Sequence, residues 1–254
     1  MSKAKTIANI MQKGGVGKST SSKNEIEELG KKFKVLGIDN DQNADLTDSF
    51  TSKKVVERSG AKTLYDVYTK GASIKDVRMK ITDNIDIVPS SIMLANVDIE
   101  LSSKMSREFV LKKAIDEIKD EYDFIIIDCS PSLSITTINA LAASDGAIYI
   151  TQLEYFAKQA LEQLEKTVNL VKEINPNLET LGLLLTMSDT TNHVKDMIEE
   201  LKESDYNILG QIDRATVVRD SIMAKQAVFQ YEPTHKVAKQ YHDFVNNMIK
   251  ELEK

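Results

Sequence analysis

The sequence lacks the features that mark several classes of protein. It has one cysteine, Cys129, so a single chain can form neither an intramolecular disulfide nor a cysteine-rich metal cluster. Its longest apolar runs, at 124–127 and 182–185, are much shorter than the ~20 residues that span a membrane, and no apolar signal segment opens the chain. We therefore predict a cytoplasmic protein with a single domain over residues 1–254, in which Cys129 is a small buried residue at the end of a strand.

An excess of positive charge is also absent, since 33 lysines and arginines face 39 aspartates and glutamates. The net charge is −6, which argues against a protein that coats nucleic acid through overall charge, so any DNA binding must come from a local basic patch. The composition, 41% hydrophobic and 28% charged, is that of an ordinary globular protein with a substantial core. The histidines, His193, His235 and His242, have no spacing that suggests a metal site.

Short β-rich runs alternate with stretches of helical period. The predicted strands cover residues 6–11, 35–38, 85–88, 124–127, 147–151, 181–185 and 208–212. Apolar residues at helical spacing are clearest at 112–119 and 159–174. This alternation predicts an α/β fold, a mostly parallel twisted sheet flanked by helices on both faces. Ligands of such sheets bind beyond the carboxyl ends of the strands.

A glycine-rich loop follows the first predicted strand and precedes a helical pattern. Glycines let the backbone direct N–H groups at an anion, and the start of the next helix adds partial positive charge. In such a loop Lys18 would reach the β- and γ-phosphates of a nucleotide, and the Ser19 hydroxyl would coordinate Mg²⁺. The order of strand, loop, Lys-Ser pair and helix indicates a phosphate-binding loop. Its predicted nucleotide contacts are Lys13, Gly14, Gly15, Val16, Gly17, Lys18, Ser19 and Thr20.

Two positions distinguish this loop from the generic pattern. Gln12 stands where that pattern has its first glycine, and a second lysine, Lys13, follows it. The loop resembles the deviant Walker A loop of the ParA/MinD family, in which the second lysine reaches across a dimer interface to the partner subunit's nucleotide. The resemblance implies ATP and Mg²⁺ as ligands, an ATP-dependent homodimer, and catalytic roles for Lys13 and Lys18. The alternative for Lys13 alone is a solvated cation near phosphate.

Carboxylates at two strand ends strengthen the resemblance. The strand at 35–38 leads into Asp39 and Asp41, where family members carry Asp-x-Asp-Pro-Gln. By that match, Asp39 holds the hydration shell of Mg²⁺ and Asp41 orients the attacking water. The apolar run at 124–127 ends in Asp128, as expected of a Walker B strand, which places Asp128 near Mg²⁺ through water.

The similarity to ParA-type plasmid and chromosome partition ATPases extends over most of the chain. The matching stretches are 122–124, 129–133, 139–141, 154–156, 181–187 and 217–221. The resemblance implies an ATPase that dimerises on ATP, binds DNA without sequence preference in the nucleoid, and hydrolyses ATP when a ParB-like centromere-binding protein stimulates it. Met187 and Asp213 would contact adenine. The DNA patch would comprise Arg214, Arg219, Lys225, Lys236 and Lys239, unless these are solvated surface cations.

The chain also departs from the family pattern. Gln42 and Asn43 replace Pro-Gln, and Asp213 replaces the proline that many relatives have beside adenine. Thr151 stands where a proline usually ends the strand, and Lys225 where a glycine is common. The first helix carries Glu25, Glu27 and Glu28 where relatives are more apolar, so we expect Ile26, Leu29 and Phe33 to form its buried stripe. The departures concern the turn after Asp41, the packing of that helix and the adenine contacts.

Two other functions occur among proteins with this type of loop. A MinD-like regulator of division-site placement needs a C-terminal amphipathic anchor with a basic polar face. The C-terminal stretch is amphipathic, but Glu251 and Glu253 lie beside its apolar residues, which favours a helix docked on the core over a membrane helix. The iron-protein relatives share an iron–sulfur cluster across the dimer and need two cysteines per chain, which argues against that class here.

Overall fold

The computed structural model describes residues 4–153, 157–189, 197–199, 201 and 206–254. The family-like stretch at 154–156 and His193 lie outside the described residues. Within them the strands are β1 Lys5–Ile10, β2 Val35–Asn40, β3 Met79–Lys80, β4 Ile85–Val88, β5 Phe124–Cys129, β6 Gly146–Gln152, β7 Glu179–Ser188 and β8 Ile208–Asp213. The helices are α1 Lys18–Leu29, α2 Asp45–Phe50, α3 Lys53–Ser59, α4 Leu64–Lys70, α5 Ile74–Val77, α6 Val97–Glu100, α7 Val110–Asp116, α8 Ile135–Ala143, α9 Ala157–Lys172, α10 Thr216–Met223, α11 Val228–Tyr231 and α12 Lys236–Leu252.

The strands form one eight-stranded sheet in the order β3-β4-β2-β5-β1-β6-β7-β8. Every pairing is parallel except that of β3 with β4. The predicted α/β architecture is therefore confirmed, and each predicted strand has its counterpart. The two-residue edge strand β3 was not predicted, because so short a segment carries no period. The predicted helix at 112–119 is shifted to Val110–Asp116, and Lys119–Glu121 forms a separate 3₁₀ turn.

Side chains alternate between the two faces of the sheet and build one apolar cluster on each. On β5, Ile125 and Ile127 join the cluster that also contains residues of α4, α7, α8 and α9, whereas Ile126 joins the cluster of α1 and α12. Helices cover both faces, as the continuous apolar strands predicted. Cys129 is the buried last residue of β5, as expected.

The helix α12 confirms the docked alternative for the C-terminal stretch. Its apolar residues Val237, Ala238, Tyr241, Phe244, Val245 and Met248 are buried against the sheet. Among the described residues, no helix is long and apolar enough to cross a bilayer.

Candidate nucleotide site

The glycine-rich loop lies between β1 and α1, at the carboxyl edge of the sheet. Gly15 and Gly17 have φ of 75° and 85°, the left-handed region that side chains with a Cβ rarely adopt. Gly17 is also the N-cap of α1, so the unpaired N–H groups of the first helical turn open onto the loop. The Thr186 hydroxyl at the end of β7 donates to the Val16 carbonyl at 2.6 Å and fixes the loop against the sheet.

The two lysines of the loop differ in position. Lys18 is buried, and its Nζ donates to the Lys13 carbonyl at 3.4 Å, folding back over the loop backbone. Burial lowers the pKa of Lys18, while the carboxylates of Asp128 and Asp41 oppose that shift. The side chain of Lys13 is exposed. The loop thus holds one lysine inside its own cradle and presents the other outward.

Asp39 and Asp128 are neighbours on adjacent strands. They are register partners of β2 and β5, and both are fully buried. The Thr47 backbone N–H and hydroxyl both donate to Asp39 Oδ2 at 2.6 Å, and the Asp41 N–H donates to Asp39 Oδ1 at 3.3 Å. Burial, reinforced by the nearby Asp128, raises the pKa of Asp39 to about 8. Both Asp39 oxygens therefore have donors within the chain.

Asp128 differs from Asp39 because one of its two carboxylate oxygens has no hydrogen-bond donor among the described residues. Its Oδ1 accepts from the Ser22 hydroxyl at 3.0 Å. Burial raises its pKa to about 6, against the lowering effect of Ser19 and of the Lys18 charge. Within the described part of the chain, the buried Asp128 Oδ2 finds no hydrogen-bond partner. A hydrated divalent cation would supply both the missing donor and the missing charge, so Ser19 and Asp128 fit Mg²⁺.

Asp41 lies in the cavity that the loop encloses. The cavity has a volume of about 540 Å³, and Lys18, Ser19 and Asp41 line it together with the end of α10. The Asn43 N–H donates to Asp41 Oδ1 at 3.0 Å, and the Ser90 hydroxyl donates to the Asp41 carbonyl at 2.6 Å. These bonds close the turn without the family's proline and keep Asp41 in place.

A second cavity, of about 480 Å³, adjoins the first. Gly17, Thr20 and Met187 line both cavities, and Ile212 and Asp213 belong to the second. Met187 has φ of 51°, a strained value for a side chain with a Cβ, next to the bend of the loop. The two residues predicted from the resemblance to contact adenine, Met187 and Asp213, are thus brought together beside the phosphate loop.

The five cations of the predicted DNA patch are all exposed. Four of them have a carboxylate within ion-pair distance: Arg219 with Asp220 at 3.8 Å, Lys225 with Asp48 at 3.4 Å, Lys236 with Asp213 at 2.8 Å, and Lys239 with Asp243. Arg214 and Arg219 also line the second cavity. Two of the five therefore lie at this cavity and Lys225 lines the first one, while the positive charge of the set is partly neutralised within the chain.

The buried surface of α1 differs from the expected apolar stripe. Ile26 and Leu29 are buried as expected, and Phe33, beyond the end of α1, is half-buried. Glu25, Glu27 and Glu28 are buried as well, so the buried surface extends beyond the predicted stripe. The reason is that α1 lies between the sheet, α2 and α12, which leaves little of its surface in water. The spacing of apolar residues along α1 does not reveal the burial of its glutamates. The signal for it in the sequence is Asn9, a polar residue inside the otherwise apolar first strand.

The chain is similar to known proteins over most of its length. A family model described as an AAA domain matches residues 4–180. The sporulation initiation inhibitor protein Soj of Bacillus subtilis is 38% identical over 253 residues, covering 96% of this chain and 98% of that protein. A plasmid partition protein of Borrelia burgdorferi bound to AMPPNP superposes with a TM-score of 0.86 at 28% identity, covering 98% of this chain and 99% of that one. Cobyrinic acid a,c-diamide synthase of Mycobacterium smegmatis, with a bound ATP analogue and magnesium, has a TM-score of 0.85 at 25% identity over 99% and 96%.

Proposed function

The chain belongs to the ParA/Soj family of AAA-domain P-loop proteins, and from this and the site we propose that it is a partition ATPase that binds ATP with Mg²⁺. The observation that carries the proposal is the convergence of Lys18, Ser19 and Asp41 on one cavity that shares lining residues with a second, more apolar one. The first cavity presents the glycine loop and Lys18 to a triphosphate, and the second offers an apolar wall for adenine.

The chemistry is phosphoryl transfer to water, in which positioning and charge neutralisation provide most of the catalysis. Bound Mg²⁺ would neutralise phosphate charge, held by Ser19 directly and by Asp128 through its hydration shell. Asp39, whose oxygens already accept from Thr47 and Asp41, would contribute to that shell only through its remaining lone pairs. Lys18 and the N–H groups at the start of α1 stabilise the negative charge on the β- and γ-phosphates. Asp41 accepts a hydrogen bond from the attacking water, whose oxygen bonds to the γ-phosphorus as the bond to ADP breaks.

Dimerisation is proposed through the second lysine. Lys13 is exposed on the loop, so its ammonium can neutralise phosphate charge in a facing copy. In that arrangement ATP links two chains and ADP does not, because the γ-phosphate supplies the charge that Lys13 contacts. The non-specific DNA surface is assigned to Arg214, Arg219, Lys225, Lys236 and Lys239. A ParB-like partner would stimulate hydrolysis and release.

The test combines mass and DNA binding. Light scattering should show an ATP-dependent dimer in the parent and none with ADP, and Lys13→Ala should remain monomeric while it retains part of its ATP affinity through Lys18. DNA binding should need ATP, ignore sequence, and weaken with salt by ~0.9 log units per log unit of salt for each phosphate neutralised. The control is Lys32→Ala, an exposed lysine just after α1, which should behave as the parent does.

Two results would contradict the proposal. An ATP-bound parent that ignores DNA at low salt but sediments with anionic vesicles would replace it with the membrane-cycling alternative. The buried apolar face of α12 speaks against that outcome, because a membrane anchor needs this face free. If Lys13→Ala forms the same ATP-dependent dimer as the parent, Lys13 does not contact the nucleotide of a facing copy.

A further inference from the structure

A series of buried hydrogen bonds joins β1 and α1 to Asp128, and three of its members, Asn9, Ser22 and Glu25, have no part in the proposed hydrolysis. The Asn9 side chain on β1 donates from Nδ2 to Glu25 Oε2 at 2.6 Å and to Ser22 Oγ at 3.0 Å. The Ser22 hydroxyl then donates to Asp128 Oδ1 at 3.0 Å. Asn9, Ser22, Glu25 and Asp128 are each fully buried. These hydrogen bonds therefore connect Glu25, in the core, with the Asp128 carboxylate at the end of β5.

In this series of hydrogen bonds, each group's role as donor or acceptor is fixed. A serine hydroxyl has a single hydrogen, and Ser22 can give it to Asp128 because its oxygen already accepts from Asn9. Asn9 in turn places its NH₂ group toward Ser22 and Glu25, both of which accept from it. If the Asn9 amide were reversed, its oxygen would compete with Asp128 for the Ser22 hydrogen. Glu25, the acceptor at the far end, keeps the amide in the orientation that leaves Ser22 free for Asp128.

Packing alone does not explain this arrangement. Ile7, on the same face of β1 as Asn9, belongs to the apolar cluster packed against α1, and an apolar pair in place of Asn9 and Glu25 would extend that cluster without desolvating polar groups. Burial raises the pKa of Glu25 to about 8, which shows how unfavourable the site is for a charged carboxylate. At neutral pH Glu25 is then mostly protonated, and with the proton on Oε1 its Oε2 still accepts from Asn9 and adds no negative charge near Asp128. Polar groups kept at such a cost are typical of sites where geometry serves function.

We propose that Glu25 and Asn9 are positioning residues that act through Ser22 to orient Asp128 for the hydrated Mg²⁺. The proposal rests on the proposed nucleotide function, since it assigns a use to the Asp128 Oδ2 atom that has no partner among the described residues. Partners that orient a metal's carboxylates from a further shell commonly change metal affinity by about 10- to 100-fold when removed. Glu25 and Asn9 are not among the residues that line either cavity.

The experiment measures the Mg²⁺ concentration that half-saturates binding of a fluorescent ATP analogue. Glu25→Leu leaves one buried N–H of Asn9 without an acceptor and should raise that concentration by about tenfold. Glu25→Gln keeps the acceptor and should restore it to within about twofold of the parent. Glu28→Leu is the matched control, because Glu28 lies on the same helix and contacts Lys31 and His242 instead of Asn9. Thermal unfolding of each variant reports its fold separately.

A merely structural role would change thermal stability and leave the Mg²⁺ dependence unchanged. The proposal is overturned if Glu25→Leu folds and keeps the parent's half-saturation, or if Glu28→Leu shifts it equally. If Glu25→Leu does not fold, Asn9→Leu carries the test: it removes the donor to Ser22 and should raise the half-saturation by a similar factor, and no shift overturns the proposal. A parent that binds no ATP analogue at any Mg²⁺ concentration would instead refute the proposed function itself, and this inference with it.

Discussion

The helices α1 and α12 pack against each other on one side of the sheet but are built in opposite ways. Tyr241 and His242 of α12 reach Ser21 at 3.4 Å and Glu28 at 2.8 Å on α1. α12 buries one apolar face and keeps its polar face in water, whereas α1 buries most of its circumference, charged residues included. α12 therefore stabilises the fold through apolar area, and α1 must satisfy its polar groups internally.

Each helix contains an ion pair with i, i+4 spacing, which makes the contrast measurable. On α1, Lys23 bonds Glu27 at 2.8 Å with side-chain exposures of only 5% and 10%. On α12, Lys239 pairs with Asp243 at exposures of 76% and 49%. The same chemistry thus occurs in a nearly dry environment and in water. The energetic difference between the two pairs shows how far α1 depends on internal pairing.

The largest effect is expected on removing the buried lysine. Lys23→Ala leaves the Glu27 carboxylate buried without its cation and removes the ammonium that lies 3.6 Å from the centre of the Phe50 ring. We expect a loss of ~3 kcal/mol in the free energy of unfolding, at the low end for a broken buried pair, because Gln230 still donates to Glu27 at 2.9 Å. Urea unfolding measures it.

A double variant provides the control. Lys23→Met combined with Glu27→Leu removes both charges and should recover most of the lost stability, since apolar replacements for a buried pair are often neutral or stabilising. A double variant as unstable as Lys23→Ala would show that the pair itself, rather than an uncompensated charge, stabilises α1.

The sequence predicted the sheet and the loop because their signals are local. Gly15 and Gly17 stand where the backbone needs positive φ, and the apolar run before Asp128 is long enough to identify a buried strand. The burial of Lys23 and Glu25 could not be predicted in this way. It depends on α2 and α12 covering α1 from residues distant in the chain, and on partners such as Asn9 that are brought close only by the parallel sheet.

The second-largest effect is expected at Lys18, the buried lysine at the start of α1. Lys18→Gln removes the localised positive charge from the phosphate cradle, and we expect ATP affinity to fall at least ~100-fold. Titration calorimetry measures the affinity, and unfolding in the absence of nucleotide should show no comparable loss of stability, because burial already disfavours the charged lysine. Equal ATP affinity in variant and parent would show that the loop does not bind the phosphates of ATP.

The buried glutamate of α1 gives a prediction about pH. The pKa of Glu25 is raised to about 8, above the unfolded value of ~4.3, so between these values the folded state holds a proton that the unfolded state has lost. Rising pH through this window therefore lowers the free energy of unfolding, by up to ~1.4 kcal/mol per unit from this group. Glu25→Gln should flatten the slope in urea unfolding with EDTA present. Glu57→Gln, at an exposed position on α3, should keep the parent's slope.

The smallest effect is expected at the exposed pair of α12. Lys239→Ala removes a contact of the same spacing as Lys23 with Glu27, but in water, where such pairs contribute only ~0.3–0.5 kcal/mol to the free energy of unfolding. Its stability should therefore be nearly that of the parent, and high salt should remove what difference remains. If Lys239 contacts DNA, the same variant should lower the salt slope of DNA binding by ~0.9 and weaken every sequence alike. A loss of stability as large as that of Lys23→Ala would mean that burial does not distinguish the two helices.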